Sequence, residues 1–119
     1  MVAISSLGSF LVWQSYAAVG ISKAALEALT RYLAIELAPK GISVNAVAAG
    51  AVQTEALKYY AEAQGININQ QLPPAGRALT PEDVANVVAF LCTDQAEMIR
   101  GQTLIIDGGL SLAPFTGKM

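Results

Sequence analysis

Apolar positions along the chain fall into short continuous runs separated by stretches with helical spacing. Val2 to Ile4 is an apolar run that passes into Ser5, Ser6 and Gly8, as a buried parallel strand does when it enters a polar loop at its carboxyl end. Leu26, Leu29, Leu33 and Leu37 recur every three or four residues, which predicts a helix from Tyr16 to Ala38 capped by Ser15 and stopped by Pro39 and Gly41. Ile42 to Val47 reads as a second interior strand, closed by Ala48, Ala49 and Gly50. The Thr54 hydroxyl can cap a short helix carrying Glu55, Ala56 and Leu57. From Ala63 to Ala78 the periodicity is lost among Gly65, Asn67, Asn69, Pro73, Pro74 and Gly76, giving a long loop that is either a lid over a substrate or a surface excursion. Thr80-Pro81-Glu82-Asp83 opens a helix with a cap, a proline at the first position and two acids at the positive end of the dipole, and Val84, Val87, Val88 and Leu91 form its stripe. Thr103 to Ile106 is a third apolar strand, ended by the turn Asp107-Gly108-Gly109.

Strand, helix, short turn and strand in succession make half of a repeating β-α-β unit, so the fold class is α/β with parallel strands. Gly20 lies inside the first helix at a cost of about 1 kcal/mol relative to alanine, which points to close approach of another backbone or a ligand. Glu27 and Arg31 are spaced for a surface ion pair.

Composition narrows the function classes. The chain has 119 residues, 54% of them hydrophobic and 13% charged, with a net charge of −2. It is one domain that expects to be largely buried. Neither nucleic acid nor an anionic membrane is favoured electrostatically as a partner, and no stretch reaches the roughly 20 apolar residues of a membrane span. Cys92 is the single cysteine, so no intramolecular disulfide can form and a cytoplasmic location is expected. Histidine is absent, which leaves tyrosine, lysine or carboxylates for proton chemistry.

Tyr16 and Lys23 are the pair that such chemistry would use. Seven residues at about 100° each place Lys23 some 20° from the direction of Tyr16 and about 10 Å along the helix, on one face. An ammonium beside a phenol favours the phenolate and makes the tyrosine a better proton donor to a reacting oxygen. A solvated lysine and an amphipathic tyrosine sharing a helical face would look the same. Ser6, at a strand's carboxyl end, is either a hydrogen-bond donor to a substrate oxygen or a loop serine satisfying backbone groups.

With these residues placed, the chain resembles the short-chain dehydrogenase/reductase family along nearly its whole length. The likeness is carried by Ile4-Ser5-Ser6, the run from Ser22 to Leu37, Val44-Asn45-Ala46-Val47, Pro81-Glu82-Asp83-Val84-Ala85, and Gly101 through Asp107-Gly108-Gly109. The resemblance implies a Rossmann-type doubly wound parallel sheet and hydride transfer with a nicotinamide cofactor. Most members separate the tyrosine and lysine by three residues, which would put the tyrosine at Val19; here six intervene. This spacing, and the run from Val19 to Ala34, resemble the NADPH-dependent enoyl-acyl-carrier-protein reductase branch. The resemblance implies catalytic roles for Tyr16, Lys23 and Ser6. It implies cofactor contacts from Lys23, Gly50, Val52 and Thr54, with Ala49 standing where a proline is usual.

Members of the family open with a glycine-rich strand-turn, Thr-Gly-x3-Gly-x-Gly, that cradles the cofactor pyrophosphate. No segment here matches it. The expectation is therefore a partial domain, residues 1–119 being the carboxyl-terminal half of the sheet, from a protein that is homo-oligomeric at full length. The substrate implied is an enoyl thioester on acyl carrier protein or coenzyme A, with NADPH or NADH as reductant. A carbonyl (3-oxoacyl or other ketone) reductase and a non-catalytic, self-associating fragment are the alternatives.

Overall fold

A computed structural model describes residues 1–67 and 72–113. Three parallel strands form the sheet in the order β1 (Val2–Ser6), β2 (Asn45–Ala49), β3 (Thr103–Ile106), with Ser6 opposite Ala49 and Ala49 opposite Ile106. Helix α1 (Ala17–Glu36) connects β1 to β2, and α2 (Glu55–Gln64) and α3 (Pro81–Leu91) lie between β2 and β3. This is the α/β arrangement the alternation predicts. No helix among the described residues is long and apolar enough to cross a membrane.

Side-chain alternation assigns the helices to opposite faces of the sheet. On one face, Val47, Leu104 and Ile106 pack with Val84, Val87, Val88 and Leu91 of α3. The other face carries the small residues Ala3, Ser5, Ala46 and Ala48, and there the Ser5 hydroxyl reaches Glu27 of α1. Small side chains under α1 let its axis approach the sheet closely. Every residue of β2 is buried, as the central strand of a sheet covered on both faces must be.

Several boundaries differ from the sequence expectation. β1 runs on through Ser6 because Ser5 and Ser6 still pair with Ala48 and Ala49. β2 starts at Asn45 and extends to Ala49; Ile42 is held in a turn by its N–H to the Leu37 carbonyl. α1 ends at Glu36, since Pro39 has no N–H to continue it, and a 3-10 turn at Ala38–Lys40 leads to Gly41 at φ 72°. Residues 63 and 64 belong to α2. Within the expected long loop, residues 68–71 lie outside the described residues, while Ala75 donates its N–H to the Gly108 carbonyl and Leu79 bridges Val52.

At the start of β2, Asn45 is 1% exposed, donates to the Ile99 carbonyl at 2.7 Å and accepts from the Gln102 N–H at 3.0 Å. One buried amide thus aligns the entry of β3 beside β2. α3 opens on a full capping box between Thr80 and Asp83, and Arg77 adds two contacts of 2.7 Å to the Asp83 carboxylate. The Arg77 hydrogen bonds, reinforced by the Thr80 backbone N–H, hold that carboxyl well below the usual carboxylate range.

Candidate active site

The site residues gather at the carboxyl ends of β1 and β2. Ser6 ends β1, and Gly50 follows Ala49, its neighbour across the sheet. Gly50 donates to the Ile106 carbonyl at 2.9 Å, and a Cβ on it would lie 2.9 Å from the Asp107 Cβ. Only glycine lets the chain leave β2 this close to β3.

Tyr16 is the N-cap of α1 and not part of the helix, at φ −114° and ψ 6°. Ser15, just before it, has φ 58° and does not act as the expected cap; the left-handed turn there redirects the chain before the helix begins. The shared-face geometry inferred from helical spacing therefore does not apply to Tyr16. Instead the phenol lies back toward β1, with its oxygen 3.4 Å from the Ser6 hydroxyl. The Lys23 ammonium donates to the Ile4 carbonyl at 2.7 Å. Strand rise puts Ile4 and Ser6 about 7 Å apart, so the two polar tips meet the same strand end through different partners.

Two glycines make room for this arrangement. A Cβ on Gly20 would lie 2.6 Å from the Gly8 carbonyl oxygen, and a Cβ on Gly8 would overlap the Tyr16 ring. The backbone approach inferred for Gly20 is thus that of Gly8. The loop after β1 wedges between Tyr16 and Gly20 and fixes the start of α1 against the strand.

The phenol sits among aromatic neighbours. Its ring is 5.4 Å from that of Trp13 and 5.6 Å, edge-on, from that of Tyr60. Tyr60 also donates its hydroxyl to the Gln14 carbonyl at 2.7 Å, tying α2 to the segment before α1. Sequence reasoning missed Tyr60, which stands 44 positions from Tyr16; its one local signal was a tyrosine on a helix near Gly50. Glu27 was also misread: it accepts from the Ser5 hydroxyl at 2.5 Å instead of pairing with Arg31.

Val52 and Thr54 lie on the segment leaving Gly50. Val52 bridges Leu79, with the Gln53 N–H donating to the Leu79 carbonyl. The Thr54 hydroxyl accepts from the Leu57 N–H at 3.2 Å as the N-cap of α2, leaving its own proton free to donate. A nicotinamide group fits these residues: Gly50 keeps side chains away from the strand ends, and Lys23 uses one of its three N–H donors on Ile4. Among the described residues no group of acidic, histidine or cysteine side chains is placed to hold a metal ion.

Asp107 and its turn close the β3 side. Its buried carboxylate accepts from the Gly109 N–H at 2.8 Å and the Ser111 N–H at 2.7 Å. Burial, the largest influence, acts to raise its pKa, but the hydrogen bonds from Ser111 and Gly109 together outweigh it and leave the carboxyl below its ordinary value. An open groove of about 330 Å³ lies beyond this turn, lined in part by Pro73, Leu79, Asn86 and Gly108. It stands on the β3 side, two strands from Ser6, and its Arg77 and Asp83 are already paired. Tyr16 and Ser6 stand at the opposite edge of the sheet.

Residues 1–111 match a family model described as enoyl-(acyl carrier protein) reductase. A 1-cyclohexenylcarbonyl-CoA reductase of Streptomyces collinus is 43% identical over 115 residues, covering 94% of this chain and 41% of the relative. A 3-oxoacyl-[acyl-carrier-protein] reductase of Rickettsia felis is 46% identical over 89 residues, covering 75% of this chain and 36% of the relative. Among solved structures, a putative NAD(P)-dependent gluconate 5-dehydrogenase from Beutenbergia cavernae with bound NADP superposes with a TM-score of 0.83 at 38% identity, covering 94% of this chain and 45% of that one. The chain thus spans less than half the length of the relatives it matches, and shares their fold.

Proposed function

The chain belongs to the short-chain dehydrogenase/reductase family, and from that premise we propose that it forms the carboxyl-terminal part of an enoyl thioester reductase. In this reading NADPH reduces the β-carbon of a trans-2-enoyl group carried on acyl carrier protein or coenzyme A, in the cytoplasm, within fatty-acid synthesis.

The observation that carries the reading is the position of Tyr16. It stands at the N-cap of α1, outside the helix, while Val19, where a tyrosine separated from Lys23 by three residues would stand, is within the helix. In a ketone the carbon that takes hydride is bonded to the oxygen that takes the proton. In an enoyl thioester the negative charge develops on a carbonyl oxygen three bonds from the β-carbon. Setting the phenol outside the helix, three positions before Val19, while keeping the lysine suits that more distant oxygen. The name of the Streptomyces relative, a reductase of a conjugated cyclohexenyl thioester, supports the same reaction class.

In this reading each residue has a role. Bound nicotinamide supplies the hydride. Tyr16 directs its O–H at the developing enolate oxygen and Ser6, 3.4 Å away, shares that hydrogen bond. Lys23 would hold the cofactor ribose with the N–H donors not used on Ile4, while Gly50, Val52 and Thr54 would line the nicotinamide side. Trp13 and Tyr60 flank the half-buried phenol and limit the directions its ring can take.

A ketone reductase is the second reading, favoured by the Rickettsia relative. Turnover of a crotonyl thioester against an acetoacetyl thioester by the full-length enzyme tests the choice. Crotonyl reduction is expected; reduction of the ketone alone would defeat the proposal. The outward face of α1, with Ile21 71%, Tyr32 70% and Ile35 77% exposed, supports association into homo-oligomers. Sedimentation of a Tyr32→Glu variant is expected to show smaller species than the parent.

A further inference from the structure

Three consecutive residues of β1 are each held from α1 or its cap: Lys23 donates to the Ile4 carbonyl at 2.7 Å, Ser5 donates to Glu27 at 2.5 Å, and Ser6 lies 3.4 Å from Tyr16. The proposed function gives Lys23, Ser6 and Tyr16 roles in the reaction and gives Glu27 none. It sits one turn beyond Lys23 on the side of α1 that faces the sheet, and its partner Ser5 is 4% exposed.

The middle contact differs in kind from its neighbours. A hydroxyl donating to a carboxylate is short, directional and about twice as strong as a neutral bond. The apolar packing of α1 over Ala3, Ala46 and Ala48 is smooth and non-directional, and the Lys23 stem is long and flexible. The Gly8–Gly20 contact fixes the first turn of α1, and neither the apolar packing nor the lysine stem defines where the helix beyond that turn sits along β1. The Ser5–Glu27 bond does, because it is directional and its donor is buried in the strand.

We propose that Glu27 is a positioning residue: by accepting the Ser5 hydroxyl it sets the axial register of α1 on β1, and so holds Tyr16 and Lys23 in place against Ser6. Glu27 does not exchange a proton with substrate. The inference rests on the proposed assignment of Tyr16 and Lys23 to the reaction. It is therefore tested with whichever thioester, crotonyl or acetoacetyl, the parent enzyme reduces, so that an error in substrate class leaves the test intact.

The experiment is a double-mutant cycle in the full-length enzyme with Ser5→Ala, Glu27→Ala and the pair, alongside Glu27→Gln, whose amide oxygen can accept the same bond. Each alanine variant is expected to lower kcat about tenfold with KM held within about twofold, as small misplacements of reacting groups do. The double variant is expected to be no worse than either single one, and Glu27→Gln to recover most of the loss across the pH profile. Unfolding midpoints are recorded for every variant, so that a fall in kcat is read only on folded enzyme. Additive losses, an unchanged kcat in Glu27→Ala, or a Glu27→Gln variant as impaired as Glu27→Ala would each overturn the proposal.

Discussion

Gly20 of α1 rests against the carbonyl oxygen of Gly8, close enough that a Cβ on Gly20 would lie 2.6 Å from it. A residue that costs the helix about 1 kcal/mol in propensity is kept where the loop after β1 passes. Gly20→Ala is accordingly expected to destabilise the protein by about 1–3 kcal/mol, the overpacking outweighing the gain in helix propensity. Urea unfolding measures this; an increase in stability would mean that the helix and loop are not in contact.

Asn45 joins two elements with one buried amide, donating to Ile99 and accepting from Gln102. Asn45→Ala removes both bonds and leaves a buried N–H and C=O without partners, an expected loss of about 2–4 kcal/mol. Amide exchange at Gln102 is expected to speed up by more than that at Leu104, because only the former loses its acceptor.

The pH dependence carried by Asp107 has a definite sign. Its native pKa lies below the ordinary 3.8, so between the two values the unfolded chain binds the extra proton. The stabilisation from this group is present in full above pH 3.8 and is lost as pH falls through the lowered native value. Asp107→Ala is expected to flatten that part of the acid-unfolding curve, and to cost about 1–2 kcal/mol at neutral pH through the lost contacts to Gly109 and Ser111.

Tyr60 latches α2 to Gln14 and presents its ring edge to Tyr16. Tyr60→Phe keeps the ring and loses the latch, while Tyr60→Ala loses both. Amide exchange in α2 is expected to rise by about tenfold in either variant, the equivalent of one hydrogen bond. If exchange in α2 is unchanged in Tyr60→Phe, the contact with Gln14 does not hold the helix.

What the sequence disclosed, and what it did not, divides by range. The helix start at Thr80-Pro81-Glu82-Asp83 was legible because its signals are adjacent in sequence, while the return bond from Asp83 to the Thr80 backbone came from the structure. The three strands were legible as apolar runs bounded by serine and glycine. The start of α1 was misplaced because Ser15 is a good cap by composition, whereas here it adopts φ 58°. Glu27 and Arg31 looked like a surface pair because helical spacing cannot say which face meets the sheet. The approach of Tyr60 to Tyr16 and the bond from Ser5 to Glu27 join distant positions, and no local pattern marks them.

Residues 1–119 contain no Thr-Gly-x3-Gly-x-Gly turn, and by our reading the adenosine and pyrophosphate of the cofactor are bound outside them. The 119-residue chain by itself is therefore expected to show no NADPH binding by calorimetry, and micromolar binding to a monodisperse sample would contradict this.

The central claim is that the Tyr16 hydroxyl, displaced from the usual position, stabilises an enolate oxygen. Tyr16→Phe in the full-length enzyme removes one oxygen and keeps the ring between Trp13 and Tyr60. Steady-state reduction of a crotonyl thioester is the direct measurement. The account predicts a fall in kcat of about a hundredfold or more with an unchanged fold and cofactor affinity; full activity in the variant would contradict it.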